Sequence, residues 1–199
     1  MADMTESVSV IVLAGGASRR FGSDKLAALL PDGVSVLDHC LLGMPAGWGV
    51  VVVGPSRVVP SEVSARVRFT RESPAGGGPL AGIAAGLDLV TSEVVCVVAG
   101  DTPRAGEVLP GLVSALTASP EADAAVASDG EGQPNPVLAA YSVDALRGTL
   151  PSEPADRPAR VLLEMAHVLV PADVLDVDTR DDLENVERQD PNAIGTTQR

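Results

Sequence analysis

Residues 8–25 read VSVIVLAGGASRRFGSDK, and the fold turns on how this stretch is taken. Val8 to Leu13 is an apolar run without the alternation of a half-exposed strand. It predicts a strand covered on both faces, as in a parallel sheet between helical layers. A glycine-rich segment follows at once, and a helical stretch begins beyond Lys25. Two further runs of the same kind, Val50 to Val53 and Val94 to Ala99, are separated by helical patterns. One carries Leu80, Ile83, Ala84, Leu87 and Val90 on a single stripe, and another spans Gly106 to Ala118. Such alternation implies right-handed crossovers and predicts an α/β fold, a doubly wound, mostly parallel sheet in a three-layer sandwich.

Outward from this frame, Pro31-Asp32-Gly33 signals a turn that joins two short strands ahead of a helix starting near Ser35. In the last third, Asn135 to Tyr141 reads as a strand, Val143 to Leu150 as a short helix and Pro151 to Pro158 as a loop. Ala159 to Ala166 has helical spacing, His167 to Val170 is a short strand, and Asp181 to Arg188 is a closing helix. Gln189 to Arg199 is polar and reads as a frayed tail, so a single domain over residues 1–188 is expected. A chain of 199 residues buries roughly 70 % of its unfolded surface, so it needs neither disulfides nor a structural metal.

Composition narrows the function. With 45 % hydrophobic and 21 % charged residues the chain is not disordered. An aromatic share of 2 % leaves too few rings for base stacking, and 14 Lys and Arg against 27 Asp and Glu give a formal charge of −13 that repels polyanions. Nucleic acid is therefore not an expected partner. Asp3 and Glu6 stand where a secretory signal would be basic, and Val8 to Ala14 is too short to span a bilayer, so a cytoplasmic protein without membrane attachment is expected. Cys40 and Cys96 lack metal-type spacing and read as buried structural thiols, and His39 and His167 are solitary.

In a chain this acidic an anionic ligand needs a local positive site. Gly15, Gly16 and Gly22 allow close backbone approach and exposed amides, while Arg19, Arg20 and Lys25 supply charge; Lys25 is the only lysine of the chain. The segment is either a surface turn with solvated arginines or a phosphate cradle at the carboxyl end of a buried strand. The coincidence of strand, two arginines and the sole lysine favours the cradle. Neither the G-x-x-x-x-G-K-[ST] of a Walker loop nor the G-x-G-x-x-G of dinucleotide-binding folds is present. Val94 to Ala99 runs into Gly100-Asp101-Thr102-Pro103, where Asp101 is either a hard oxygen ligand for nucleotide-borne Mg²⁺ or a turn or cap carboxylate. Asp178 in Asp176-Val177-Asp178-Thr179 is a second ligand candidate, unless Thr179 and Asp182 simply form a capping box. Gly76-Gly77-Gly78 before Pro79 opens a helix with several exposed amides.

Leu13-Ala14-Gly15-Gly16 followed by Ser18, Arg19, Arg20, Gly22 and Lys25 resembles the signature L-A-G-G-x-x-x-R-M-G-x-x-K of the molybdenum cofactor guanylyltransferases, members of the nucleotidyltransferase superfamily; Phe21 replaces the usual Met. The resemblance implies a nucleotide-diphospho-sugar transferase-like fold and transfer of GMP from GTP to the terminal phosphate of molybdopterin or its molybdenum form. It implies Mg²⁺ as cofactor, GTP and molybdopterin as substrates, and transient contact with molybdoenzymes or other cofactor-biosynthesis proteins. On the family's pattern Leu13, Ala14, Gly15, Gly16 and Lys25 meet the nucleotide, Lys25, Arg19 and Asp101 serve catalysis, and Asp101 and Asp178 hold the metal. The G-P-L-A-G string from Gly78 to Gly82 matches the base loop and sets Gly78 and Leu80 against guanine. Glu72, in the nucleotide site, stands where the family commonly has Asp, and Gly54 where it often has Asn. Asn135 with Pro136, and Arg157 and Arg160, resemble acceptor-side motifs, where a guanidinium fork suits a pterin phosphate. Two rivals stay open: a cytidylyltransferase of the same superfamily, which more often reads L-A-A-G, and a catalytically degenerate nucleotide-binding protein that delivers cofactor.

Overall fold

A computed structural model of the chain describes residues 8–15, 24–172, 177 and 182. The apolar runs form strands where they were expected: β1 Val8–Leu13, β2 Gly49–Val53 and β4 Val94–Ala99. Four more strands, β3 Val67–Thr70, β5 Ala124–Ser128, β6 Pro134–Ser142 and β7 His167–Pro171, complete a seven-stranded sheet in the order β3-β2-β1-β4-β6-β5-β7. Among these described strands only β6 runs against the others, pairing antiparallel with both β4 and β5. Among the described residues the α-helical elements are α1 Val36–Leu42, α2 Ser61–Ser64, α3 Gly78–Leu87, α4 Ala105–Thr117 and α5 Val143–Thr149.

The absence of alternation in the central strands has the expected cause. Val10, Val12, Val50, Val52 and Val98 point into a core shared with Leu37 and Leu41 of α1 and Leu109 and Leu112 of α4. Their neighbours Ile11, Val51, Val53, Val95 and Val97 point the other way, into a core closed by Ile83 of α3 and Leu146 of α5. Both faces of the sheet are thus buried, which makes three layers. Two close approaches bring the helices down. A Cβ on Gly86 of α3 would lie 2.8 Å from Ile11 Cγ2, and one on Gly106 of α4 would lie 2.0 Å from the carbonyl oxygen of Gly43, at the end of α1.

The Pro31–Gly33 turn joins Leu29 and Ser35 in an antiparallel bridge, and Ser35 caps α1 by accepting the Asp38 N–H at 3.1 Å. The stretch after Pro158, whose spacing predicts a helical segment over Ala159 to Ala166, forms a 3₁₀ helix over Ala159–Glu164. Apart from Asp182, the closing helix expected over Asp181 to Arg188 and the tail beyond it lie outside the described residues. Among the described residues no helix is long and apolar enough to cross a membrane.

The order of strands fixes where a ligand can enter. From β1 the chain moves outward to β2 and β3, then returns across β1 to β4. Loops leaving the carboxyl ends of β1 and β4 therefore part to opposite sides, which opens a crevice between them.

Candidate active site

A cleft of ≈530 Å³ lies at this crevice, with Leu13 of β1, Val53 of β2 and Ala99 of β4 at its floor. Lys25 and Asp101 both line it and form an ion pair across it, with side chains only 16 % and 21 % exposed. Each is held by local structure. Asp24 caps the 3₁₀ turn Lys25–Ala27, its Oδ1 accepting the Leu26 N–H at 3.1 Å, and Leu26 is buried against the first core. Asp101 leaves the end of β4 through Gly100, whose N–H reaches the Leu13 carbonyl at 2.9 Å. The residue at the N-cap of α4 is Arg104, so Asp101 is not a helix cap; its carboxylate is turned to Lys25. The Asp101 carbonyl accepts the N–H of the fully buried Val177 at 2.9 Å.

A second carboxylate, Glu72, also lines the cleft. It is 8 % exposed, and its Oε1 accepts the Gly76 N–H at 2.9 Å. Its Oε2 is buried and has no hydrogen-bond partner among the described residues. An unpaired buried carboxylate oxygen is costly, and at a cleft wall it asks for a donor from a ligand. Gly15 lies directly against it, since a Cβ there would come within 3.1 Å of Oε1 and 3.3 Å of Oε2. The longer acid at position 72 therefore goes with glycine, not alanine, at position 15. Gly54 has an equally plain cause. A side chain there would meet the Ala14 carbonyl oxygen at 2.6 Å, so the Asn common in the family does not fit this backbone.

The glycine-rich loop completes the wall above α3. Gly76 and Gly78 have φ of +82° and +86°, and nothing lies within 4 Å of a Cβ on either, so the loop presents bare backbone to the cleft. Gly78 and Pro79 line it, while the Leu80 side chain is fully buried in the core beneath α3. Ala14 is buried too, with its N–H bonded to the Val53 carbonyl at 2.8 Å.

Lys25, Asp101, Glu72, Gly15, Leu13 and Gly78 are thus brought to one cleft. Gly16, Arg19 and Asp178 lie outside the described residues. On the acceptor side, Arg157 and Arg160 are exposed, and Arg157 Nε donates to its own loop at the Glu153 carbonyl, 3.1 Å away. That loop nevertheless packs on the glycine loop, because the Asp156 N–H donates to the Gly77 carbonyl at 2.7 Å. Asn135 Oδ1 accepts the N–H of Val137, a cleft-lining residue that sequence reasoning missed. No local signal marks Val137, because only the antiparallel course of β6 beside β4 carries it to the site.

The ionisable side chains among the described lining residues are one ammonium, Lys25, and two carboxylates, Glu72 and Asp101. A polyphosphate entering such a site needs a further cation to offset its charge. The donor chemistry suits Mg²⁺, which binds through one or two protein carboxylates and fills its shell with phosphate and water oxygens. Cys40 is buried behind the site, and its thiol is pushed up to about 12, first by burial and then by the Asp101 charge. Burial likewise raises the Cys96 thiol, so both cysteines are inert core residues, as expected.

Residues 10–171 match the family model described as the MobA-like NTP transferase domain. A probable molybdenum cofactor guanylyltransferase of Chloroflexus aggregans is 34 % identical over 145 residues, covering 70 % of this chain and 67 % of that protein. The match thus spans about two thirds of the relative's length. Molybdopterin-guanine dinucleotide biosynthesis protein A from Archaeoglobus fulgidus superposes with a TM-score of 0.67 at 25 % identity, over 90 % of this chain and 97 % of that one. The 2-C-methyl-D-erythritol 4-phosphate cytidylyltransferase of Francisella tularensis superposes with a TM-score of 0.68 at 13 % identity, over 92 % and 99 % of the two chains, a likeness of fold alone.

Proposed function

The chain belongs to the MobA-like NTP transferase family, and on that premise we propose that this nucleotidyltransferase moves GMP from GTP onto the terminal phosphate of molybdopterin, releasing pyrophosphate. The observation that carries the reading is the pairing of the chain's sole lysine with the strand-end carboxylate Asp101 inside the switch-point cleft.

The attacking phosphate oxygen is anionic at neutral pH, so no side chain has to remove a proton. A bond forms from that oxygen to the α-phosphorus of GTP while the bond to the bridging oxygen of pyrophosphate breaks. The chain's contribution is alignment and offsetting of charge. The Lys25 ammonium leaves Asp101 for the phosphates as the nucleotide enters, and Arg19 adds to it. The backbone of Gly15, Gly16 and the glycine loop admits the nucleotide closely, and Glu72 Oε2 accepts a donor from it. Asp101, with Asp178, holds Mg²⁺, which supplies neutralisation of phosphate charge. Asn135, Arg157 and Arg160 form the acceptor side, and the contact of the 151–158 loop with Gly77 supports placing it beside the nucleotide.

Glycine at position 15 and the G-P-L-A-G string from Gly78 to Gly82 support guanine over the L-A-A-G cytidylyltransferase pattern. The test is pyrophosphate release on adding molybdopterin to the protein with Mg²⁺ and either GTP or CTP. We expect release with GTP and little with CTP. Equal release from CTP contradicts the base assignment, and binding without release from either nucleotide contradicts catalysis.

A further inference from the structure

We propose that Arg57 is a positioning residue for Lys25, acting through Asp24. Arg57 stands in the loop that leaves β2, and its guanidinium Nη1 lies 3.3 Å from Asp24 Oδ2. The other oxygen of the same carboxylate caps the 3₁₀ turn that begins with Lys25. One carboxylate thus has two tasks, since Oδ1 shapes the turn and Oδ2 ties it to the loop after β2. That loop is itself fixed, because Gly54 donates to the Thr70 carbonyl at 2.9 Å and leaves no room for a Cβ against Ala14. The lysine turn is therefore tied both to Asp101 beyond β4 and to Arg57 beyond β2. An ammonium on a flexible four-carbon stem gains most from such support of its backbone.

The consequence for turnover rests on the function proposed above, but the positioning itself does not, and the experiment separates the two. Because Lys25 is the only lysine, reductive methylation with ¹³C gives one lysine side-chain signal, distinguishable from the α-amine and with its charge kept. The wild-type signal is expected to lie away from that of a free dimethyl-lysine. In Arg57→Ala and in Asp24→Asn it should move toward the free position and sharpen. Asp24→Asn is the cleaner variant, because an Asn oxygen still accepts the Leu26 N–H and only the ion pair is lost. Turnover with GTP should fall about two- to fivefold in each, the range of a partly exposed ion pair. The double variant should lose no more than either single one. A lysine signal unmoved in both variants overturns the proposal whatever the reaction is. So does a loss from Arg57→Ala that persists in full on a Lys25→Ala background, since Arg57 would then act on the substrate directly.

Discussion

Replacing Gly15 by Ala tests the contact between the end of the first strand's loop and Glu72. The added methyl would stand 3.1 Å from Oε1 and 3.3 Å from Oε2, so the carboxylate has to retreat by a few tenths of an ångström. It has little freedom, being 8 % exposed and tied through Oε1 to the Gly76 N–H at 2.9 Å. Retreat loosens a hydrogen bond to a charged group, worth about 1.5–3 kcal/mol when lost outright, and on the proposed function it moves Oε2 away from the nucleotide. Loss of about half of that bond energy corresponds to about 0.8–1.5 kcal/mol, a roughly four- to twelvefold weaker affinity for GTP. Calorimetric titration with GTP in Mg²⁺ measures it, and a thermal melt checks that the variant is folded. The companion Gly15→Ala with Glu72→Asp shortens the acid by one methylene, clears the methyl and should recover most of the affinity. GTP binding by Gly15→Ala within twofold of wild type would refute the reasoning, and so would failure of the shorter acid to restore any of it.

Asp101→Ala should abolish the Mg²⁺ dependence of GTP binding, seen as equal calorimetric affinities with Mg²⁺ and with chelator. Two glycines of one helix should respond in opposite directions. Gly106→Ala drives a methyl to 2.0 Å from a backbone carbonyl and should cost about 3 kcal/mol or more, lowering Tm by roughly 6–12 °C. Gly111→Ala, exposed in the same helix with nothing within 4 Å, should raise stability by up to about 1 kcal/mol. The Cys40 thiol is raised in the folded state from the ordinary 9.0 to about 12, so the unfolded chain ionises first. Stability from this group is intact below about pH 9 and declines as pH climbs from there toward 12. Urea midpoints at pH 7 and 10.5 should show the decline, and neither thiol should react with a disulfide reagent at pH 8 until the protein is unfolded.

The fold was legible where strands are buried on both faces. Val8–Leu13, Val50–Val53 and Val94–Ala99 carry no alternation because two helical layers cover them. β5 was not legible, since Ala-Ala-Val-Ala-Ser from Ala124 to Ser128 has a helix former at three of five positions and becomes a strand only through pairing with β6 and β7. β3 is short and mixes Arg68 and Thr70 with Val67 and Phe69, as an edge strand does. In the site, Lys25, Asp101 and the glycine loop follow strands or open a helix, so local pattern marks them as candidates, and the family resemblance, not the pattern, chooses between the readings of Asp101 and the glycine loop. The tie between Arg57 and Asp24 and the wall formed by Val137 depend on loops distant in sequence, and no spacing rule joins them. The departures at Gly54 and Glu72 turned out to be contact constraints, each explained by a neighbour, Ala14 or Gly15, that only the packed structure brings close.

The most direct measurement is the rate of pyrophosphate release from GTP and molybdopterin by Lys25→Ala beside the wild type, in Mg²⁺, with thermal melts of both. Removing one preorganised charge contact typically costs about 3–4 kcal/mol of transition-state stabilisation, so we expect a natively folded variant whose turnover is lower by about a thousandfold. A folded Lys25→Ala that releases pyrophosphate as fast as the wild type would contradict the placement of this ammonium at the phosphates.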